Sequence, residues 1–210
     1  MNELHLNITK LYSEIHTTIN YTNNCEVSFE GSQKQCEFFK AWDFISDFYS
    51  KNKKSELTFL EVGAWKGLWG LAFYEFCKLN NIKGHYVTVT WIDHNVGPNK
   101  QLLKVISYLN ENGLKADLVD GDSTTDECVN KVKSIRDSYD MVFIDASHEY
   151  KDVVKDIPNY GPMAKDMLMF HDIRPEIGGV YNAMQYHELK LDEEIIDSQD
   201  LMGIGIKYIK

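Results

Sequence analysis

From residue 57 onward the chain repeats one unit: a short apolar run, a turn, then an amphipathic stretch. The runs read as strands at about 57–62 (LTFLEV), 86–93 (YVTVTWID), 115–120 (KADLVD), 139–145 (YDMVFID) and 165–171 (KDMLMFH). Short runs rich in Val, Ile, Leu and aromatics, bounded by turn residues, suit strands buried on both faces. Between them, helical periodicity predicts helices over 66–80, 99–112, 124–137, 149–160 and 177–188. This alternation constrains the fold more than any other feature, because parallel strands need crossover connections and those are right-handed. The closing LDEEIIDSQDLMGIGIKYIK reads as two strands joined by a turn. The expectation is an α/β fold: a Rossmann-like, doubly wound, mostly parallel seven-stranded sheet with a C-terminal antiparallel hairpin.

Two helical patterns come before the first strand. Leu4, Ile8, Leu11, Ile15 and Ile19 recur at spacings of three and four over 3–19, and Phe38, Phe39, Trp42, Ile45 and Phe48 form a broad face over 34–51. Residues 1–56 are thus expected to be an N-terminal helical extension, serving as core cover, lid or dimer surface, ahead of a domain at 57–210. A length of 210 residues with 43% hydrophobic content suits one such domain. The net charge of −10 argues against a phosphate-tracking surface, and hence against nucleic acid as the main partner. The nearest basic run, KNKK at 51–54, reads as a hinge before the first strand. Cys25, Cys36, Cys77 and Cys128 show no metal-ligand spacing and suit isolated thiols in a reducing compartment. No apolar run is long enough to span a membrane, and the N-terminus lacks the pattern of a secretory signal, so a cytoplasmic location is expected.

In a doubly wound sheet, ligands bind beyond the carboxyl ends of the strands. The first strand ends in EVGAWKG, where Gly63 and Gly67 allow a tight turn that brings backbone N–H groups to a ligand at a helix start. Trp65 occupies the position where a dinucleotide fingerprint has its second glycine. Asp93 is expected to end the second strand, where an acid can accept from both ribose hydroxyls. The third strand runs into DGDS, with Asp122 placed to meet an adenine amino group. The fourth ends FIDASHEY and the fifth FHD, so Asp145, His148 and Asp172 fall at adjacent strand ends. Taken singly, each feature is equally well a capped turn; it is their order, one per strand end, that points to a site.

FLEVGAWKG, WID, DGDS and YDMVFIDASHEYKDVVKDI with FHD resemble the class I S-adenosylmethionine-dependent methyltransferases. The likeness is greatest to the group that methylates macrolide sugars, of the macrocin and mycinamicin type, and it covers about 57–210. The resemblance implies that Glu61, Gly63, Ala64 and Gly67 hold the methionine end of S-adenosylmethionine, Asp93 the ribose, and Asp122 with Ser123 the adenine, with Asp145 also beside the cofactor. It implies a divalent cation, Mg²⁺, on Asp145 and Asp172, and His148 as general base. One departure is Ala146, where many members have glycine.

The chemistry is consistent with those roles. Two carboxylates at neighbouring strand ends repel unless a proton or cation intervenes, and oxygen donors favour Mg²⁺ or Ca²⁺. Imidazole titrates near neutrality, which suits removal of a hydroxyl proton. His171 is expected to point to the opposite side of its strand, in a buried or orienting role, and Tyr150 to pack. The segment IRPEIGGVYNA, with Gly178 and Gly179, is expected to form a flexible loop on the acceptor side, where Arg174 or Tyr181 touches substrate. The sequence leads to an O-methyltransferase of a sugar or glycan hydroxyl, with a homodimer open. The alternatives are a methyltransferase of small phenolic or catechol acceptors, and a nucleotide-cofactor-binding protein without chemistry.

Overall fold

A computed structural model describes residues 2–15, 35–92, 97–196 and 202–209. Two helices, α1 (Glu3–Ile15) and α2 (Gln35–Lys51), precede β1 (Glu56–Val62). The alternation then runs α3 (Leu68–Leu79), β2 (Lys83–Thr90), α4 (Gly97–Glu111), β3 (Lys115–Asp120), α5 (Asp126–Ile135) and β4 (Tyr139–Ile144). It continues with α6 (Tyr150–Tyr160), β5 (Ala164–His171) and α7 (Gly179–Tyr186), and closes with β6 (Glu193–Ile195) and β7 (Ile204–Tyr208). The strands form one sheet in the order β3-β2-β1-β4-β5-β7-β6, with β7 antiparallel to both its neighbours. This is the doubly wound sheet that the alternation predicts, with its switch point between β1 and β4.

Both faces of the sheet are covered. Along β1, Leu57 and Phe59 join the apolar cluster under α1, α2 and α3, whereas Leu60 and Val62 join the cluster under α5, α6 and α7. Glu61 therefore faces the α3 side. Helix α2 carries the aromatic face as expected: Trp42 stands 5.6 Å from Trp69 and Phe38 stands 5.2 Å from the same ring. Leu4, Ile8, Leu11 and Tyr12 of α1 belong to that cluster. Ile19 and Cys25 lie outside the described residues.

The second strand is displaced from its expected bounds. Strand β2 spans 83–90 rather than 86–93, because it pairs along the whole of β1, from Glu56↔Lys83 to Val62↔Val89. Trp91 and Ile92 leave the sheet, and Ile92 N donates to Asp120 Oδ1 at 2.9 Å. The KNKK run is no free hinge at its end: Lys54 Nζ lies 2.7 Å from Asp140 Oδ1 and also pairs with Asp166. No helix among the described residues is long and apolar enough to cross a membrane.

Candidate active site

The β1–α3 turn is built around close backbone approach. Gly63 has φ +93°, and a Cβ there would come within 2.3 Å of Ala146 Cα and of the Asp145 carbonyl. No side chain fits, and the small residue at 146 belongs to the same contact. Gly63 N donates to Val89 O and Asp145 N to Val62 O, both at 2.8 Å, so the ends of β1, β2 and β4 are tied level. Trp65 holds φ +43°, a left-handed conformation that is unusual for a bulky residue, and its side chain stays half exposed.

Beyond these ends lies a cleft of about 670 Å³. Gly63, Asp122, Ser123, Asp145, His148 and Asp172 all line it, together with Trp65, Trp91 and His171. Glu61 and Ala64 instead line a small adjoining space of about 30 Å³ with Gly63, Asp145 and Tyr12 of α1. The Glu61 carboxyl accepts from the Tyr86 hydroxyl, and burial holds it well above the usual carboxylate range in spite of that bond. Gly67 lines neither space; its φ of +82° starts α3, and a Cβ would meet Val105 at 2.9 Å. Asp93 lies outside the described residues, and the strand expected to end on it stops at Thr90.

At the ends of β4 and β5 four titratable side chains converge. The strands pair Ile144↔Phe170, so Asp145 is level with His171, and His171 Nδ1 lies 3.1 Å from Asp145 Oδ1. Asp172 has φ +57°, which breaks the strand's alternation and turns its carboxyl back towards its neighbour. His171 Nδ1 is therefore 3.4 Å from Asp172 Oδ2 as well, rather than on the opposite side of the strand. His148 Nδ1 pairs with the same Asp172 oxygen. Atoms of Asp145, His148 and Asp172 lie within 4.8 Å of one another, a grouping able to hold a metal ion.

Electrostatics follow from this packing. Burial pushes the Asp172 carboxyl up, but hydrogen bonds and charge from His148 and His171 outweigh it and hold it below the usual range. The bond to Asp172 raises His148 above the ordinary imidazole value. The β4–α6 turn is fixed by Ser147 Oγ donating to Asp152 Oδ2 at 2.9 Å and Glu149 N donating to Ser147 Oγ at 3.2 Å. A Cβ on Gly179 would sit 1.7 Å from the His148 carbonyl, so that glycine serves direct contact between the start of α7 and the His148 turn. Arg174 pairs with Glu176 at 3.1 Å, and Tyr150 is exposed, edge-on to Tyr186 at 6.4 Å, rather than packed.

On the other side of the cleft, Asp122 Oδ1 accepts from Thr124 N and Thr124 Oγ1, both at 2.9 Å, in a local turn. Ser123 turns its hydroxyl inward to Asp156 of α6. Neither Asp156 nor Tyr160 was among the residues the strand ends pointed to. Their signal lay elsewhere, in a polar residue on the inner stripe of an amphipathic helix.

The sheet order and the cleft at its switch point define a Rossmann-like methyltransferase fold. Residues 60–173 match the family described as a methyltransferase domain, and the chain belongs to that family. Solved structures share the fold at low identity. The O-methyltransferase NovP matches with a TM-score of 0.64 and 14% identity over 96% of each chain. MycE of the mycinamycin biosynthetic pathway, in complex with Mg, SAH (S-adenosylhomocysteine) and mycinamycin VI, matches at 0.55 and 13% over 95% of this chain and 54% of that one. CalS11, a TDP-rhamnose 3'-O-methyltransferase of calicheamicin biosynthesis, matches at 0.54 and 13% over 97% of this chain and 92% of that one. No curated protein matches the sequence.

Proposed function

We propose that the chain is an S-adenosylmethionine-dependent O-methyltransferase that methylates a hydroxyl of a sugar or glycan, assisted by a divalent cation. The observation that carries this reading is the convergence of Asp145, His148 and Asp172 at one end of a cleft whose other end is the 121–124 turn. Cofactor binding is supported by the methyltransferase family and by the Gly63 turn, which lines the cleft beside the ends of β1 and β4. On this reading the methionine end lies by Gly63, Ala64 and the buried Glu61, with Tyr12 of α1 closing that side, and the adenine lies by Asp122 and Ser123. The sugar class is supported by a neighbour in fold, CalS11, a TDP-rhamnose 3'-O-methyltransferase, and the cation by MycE, which was solved with Mg.

The donor set suits a divalent ion. Two carboxylates from adjacent strands face one point, and Asp172 is held ionised by its imidazole partners. Oxygen donors favour Mg²⁺, so we assign Asp145 and Asp172 to the cation and reserve His148 for the proton. The ion would supply charge that lowers the acceptor hydroxyl's pKa.

The remaining work falls to the chain. Asp172 fixes His148 Nδ1 and stabilises the imidazolium, leaving Nε2 as the basic nitrogen. Nε2 takes the hydroxyl proton as the acceptor oxygen forms a bond to the methyl carbon and the carbon–sulfur bond breaks. The products are the methyl ether, S-adenosylhomocysteine and a protonated His148 that returns its proton to solvent.

A His148→Ala variant is expected to bind S-adenosylhomocysteine within about threefold of the wild type while turnover falls by at least about 100-fold. The assay pairs S-adenosylmethionine with nucleotide sugars, glycosides and catechols. Near-normal turnover in the variant contradicts the base assignment. Turnover of catechols alone replaces the sugar reading with the phenolic one.

A further inference from the structure

Ser123 borders the cleft, yet its polar atoms are committed elsewhere. Its hydroxyl donates to Asp156 Oδ2 at 3.1 Å, and its carbonyl accepts from the Tyr160 hydroxyl at 2.8 Å. Both partners come from α6 and are fully buried. The inner stripe of α6 is Val153, Asp156, Ile157 and Tyr160, so Asp156 holds a place that packing alone would give to an apolar residue. Its Oδ1 has no hydrogen-bond partner among the described residues. A buried, half-satisfied carboxyl is costly and contributes nothing to a core. Among the described residues its hydrogen bond is to Ser123, and Tyr160 holds the same residue by its main chain.

The held residue adjoins the one that faces the ligand. Asp122 is exposed to the cleft, and Thr124 occupies only its Oδ1, leaving Oδ2 for a donor on a bound molecule. The opposite side of the turn is tied to the sheet by Gly121 N donating to Thr90 O at 3.1 Å. With both sides anchored, the main chain that carries Asp122 is held by α6 through Ser123, while Thr124 fixes the carboxyl within the turn. We propose that Asp156 and Tyr160 are positioning residues for base recognition: through Ser123 they aim Asp122 at the exocyclic amino group of the cofactor's adenine. This deepens the cofactor reading above and rests on it.

The test is calorimetric titration of the full chain with S-adenosylhomocysteine and with S-inosylhomocysteine, which lacks the amino group. The wild type is expected to prefer the adenine compound by about 10-fold or more, the worth of one directed hydrogen bond to a charged acceptor. Asp156→Ala is expected to bring that ratio close to one, while Asp156→Asn, which keeps an oxygen acceptor, restores it to within about threefold of the wild type. A role in folding alone lowers thermal stability and leaves the ratio unchanged. If Asp156→Ala does not fold, Ser123→Ala removes only the donor hydroxyl and is expected to reduce the ratio in the same direction. A wild-type ratio in a folded Ala variant at either position overturns the proposal, as does a wild type that binds both compounds equally. A wild type that binds neither overturns the cofactor reading itself.

Discussion

Gly63 shows how little freedom the site allows its residues. A methyl group there would press into the Asp145–Ala146 backbone at 2.3 Å, and φ +93° disfavours any L side chain. Gly63→Ala is expected to lose more than about 2 kcal/mol in chemical denaturation and to weaken S-adenosylhomocysteine binding. Asp156 offers a second residue-scale test. Burial raises its carboxyl to about 7; the Ser123 bond opposes the rise, Asp122 and Asp152 add to it, and Lys155 lowers it. An unfolded aspartate titrates near about 4. The folded state therefore holds the extra proton between the two values, and its contribution to stability, whole below about pH 4, is lost as pH rises through about 7. Asp156→Asn cannot ionise, so its stability relative to the wild type is expected to rise by on the order of 1–3 kcal/mol between about pH 5 and pH 8 in thermal melts. A difference that stays flat means Asp156 is ionised throughout. Asp145 and Asp172 were legible in the sequence because each directly follows a strand, and His148 because it lies in the turn three residues after Asp145. His171 is buried as expected, but its side was misread, because strand alternation was carried through Asp172, whose positive φ breaks it.

At the scale of elements, the strand ends place the chemistry and the helices hold it there. Gly63 and Asp145 are level because β1 and β4 pair Val62↔Ile144, and His171 is level with them because β4 and β5 pair Ile144↔Phe170. Helix α1 shares the core under α3: Ile8 is fully buried and Tyr12 reaches the space beside Glu61. Ile8→Ala is expected to cost about 2–4 kcal/mol in denaturant unfolding, the range for a large-to-small change in a packed core. A cost below about 0.5 kcal/mol would show that α1 is only loosely applied. The β-α alternation was legible because buried parallel strands form continuous apolar runs. The extent of β2 was not, since Lys83, Gly84 and His85 carry no strand signal of their own and join by pairing with β1. A Cβ at Gly84 would meet Leu114 Cδ1 at 2.4 Å, a contact that only the tertiary fold creates.

At the scale of the molecule, an acidic chain with a net charge of −10 presents a cleft of about 670 Å³ at the switch point of its sheet. One end of that cleft carries an acid–imidazole cluster and the other a turn anchored by α6. The opposite end of the sheet is closed by a clamp, where Lys54 pairs with Asp140 and Asp166 and Tyr49 donates to Asp166 at 3.1 Å. That division of labour matches a doubly wound sheet, in which one end binds and the other stabilises. The central claim is that the cleft holds S-adenosylmethionine, and the most direct measurement is a calorimetric titration of the purified chain with S-adenosylhomocysteine, with and without Mg²⁺, beside one with NAD. Saturable binding of one S-adenosylhomocysteine per chain and no binding of NAD is the expected result. No heat of binding with S-adenosylhomocysteine in either condition would contradict the account.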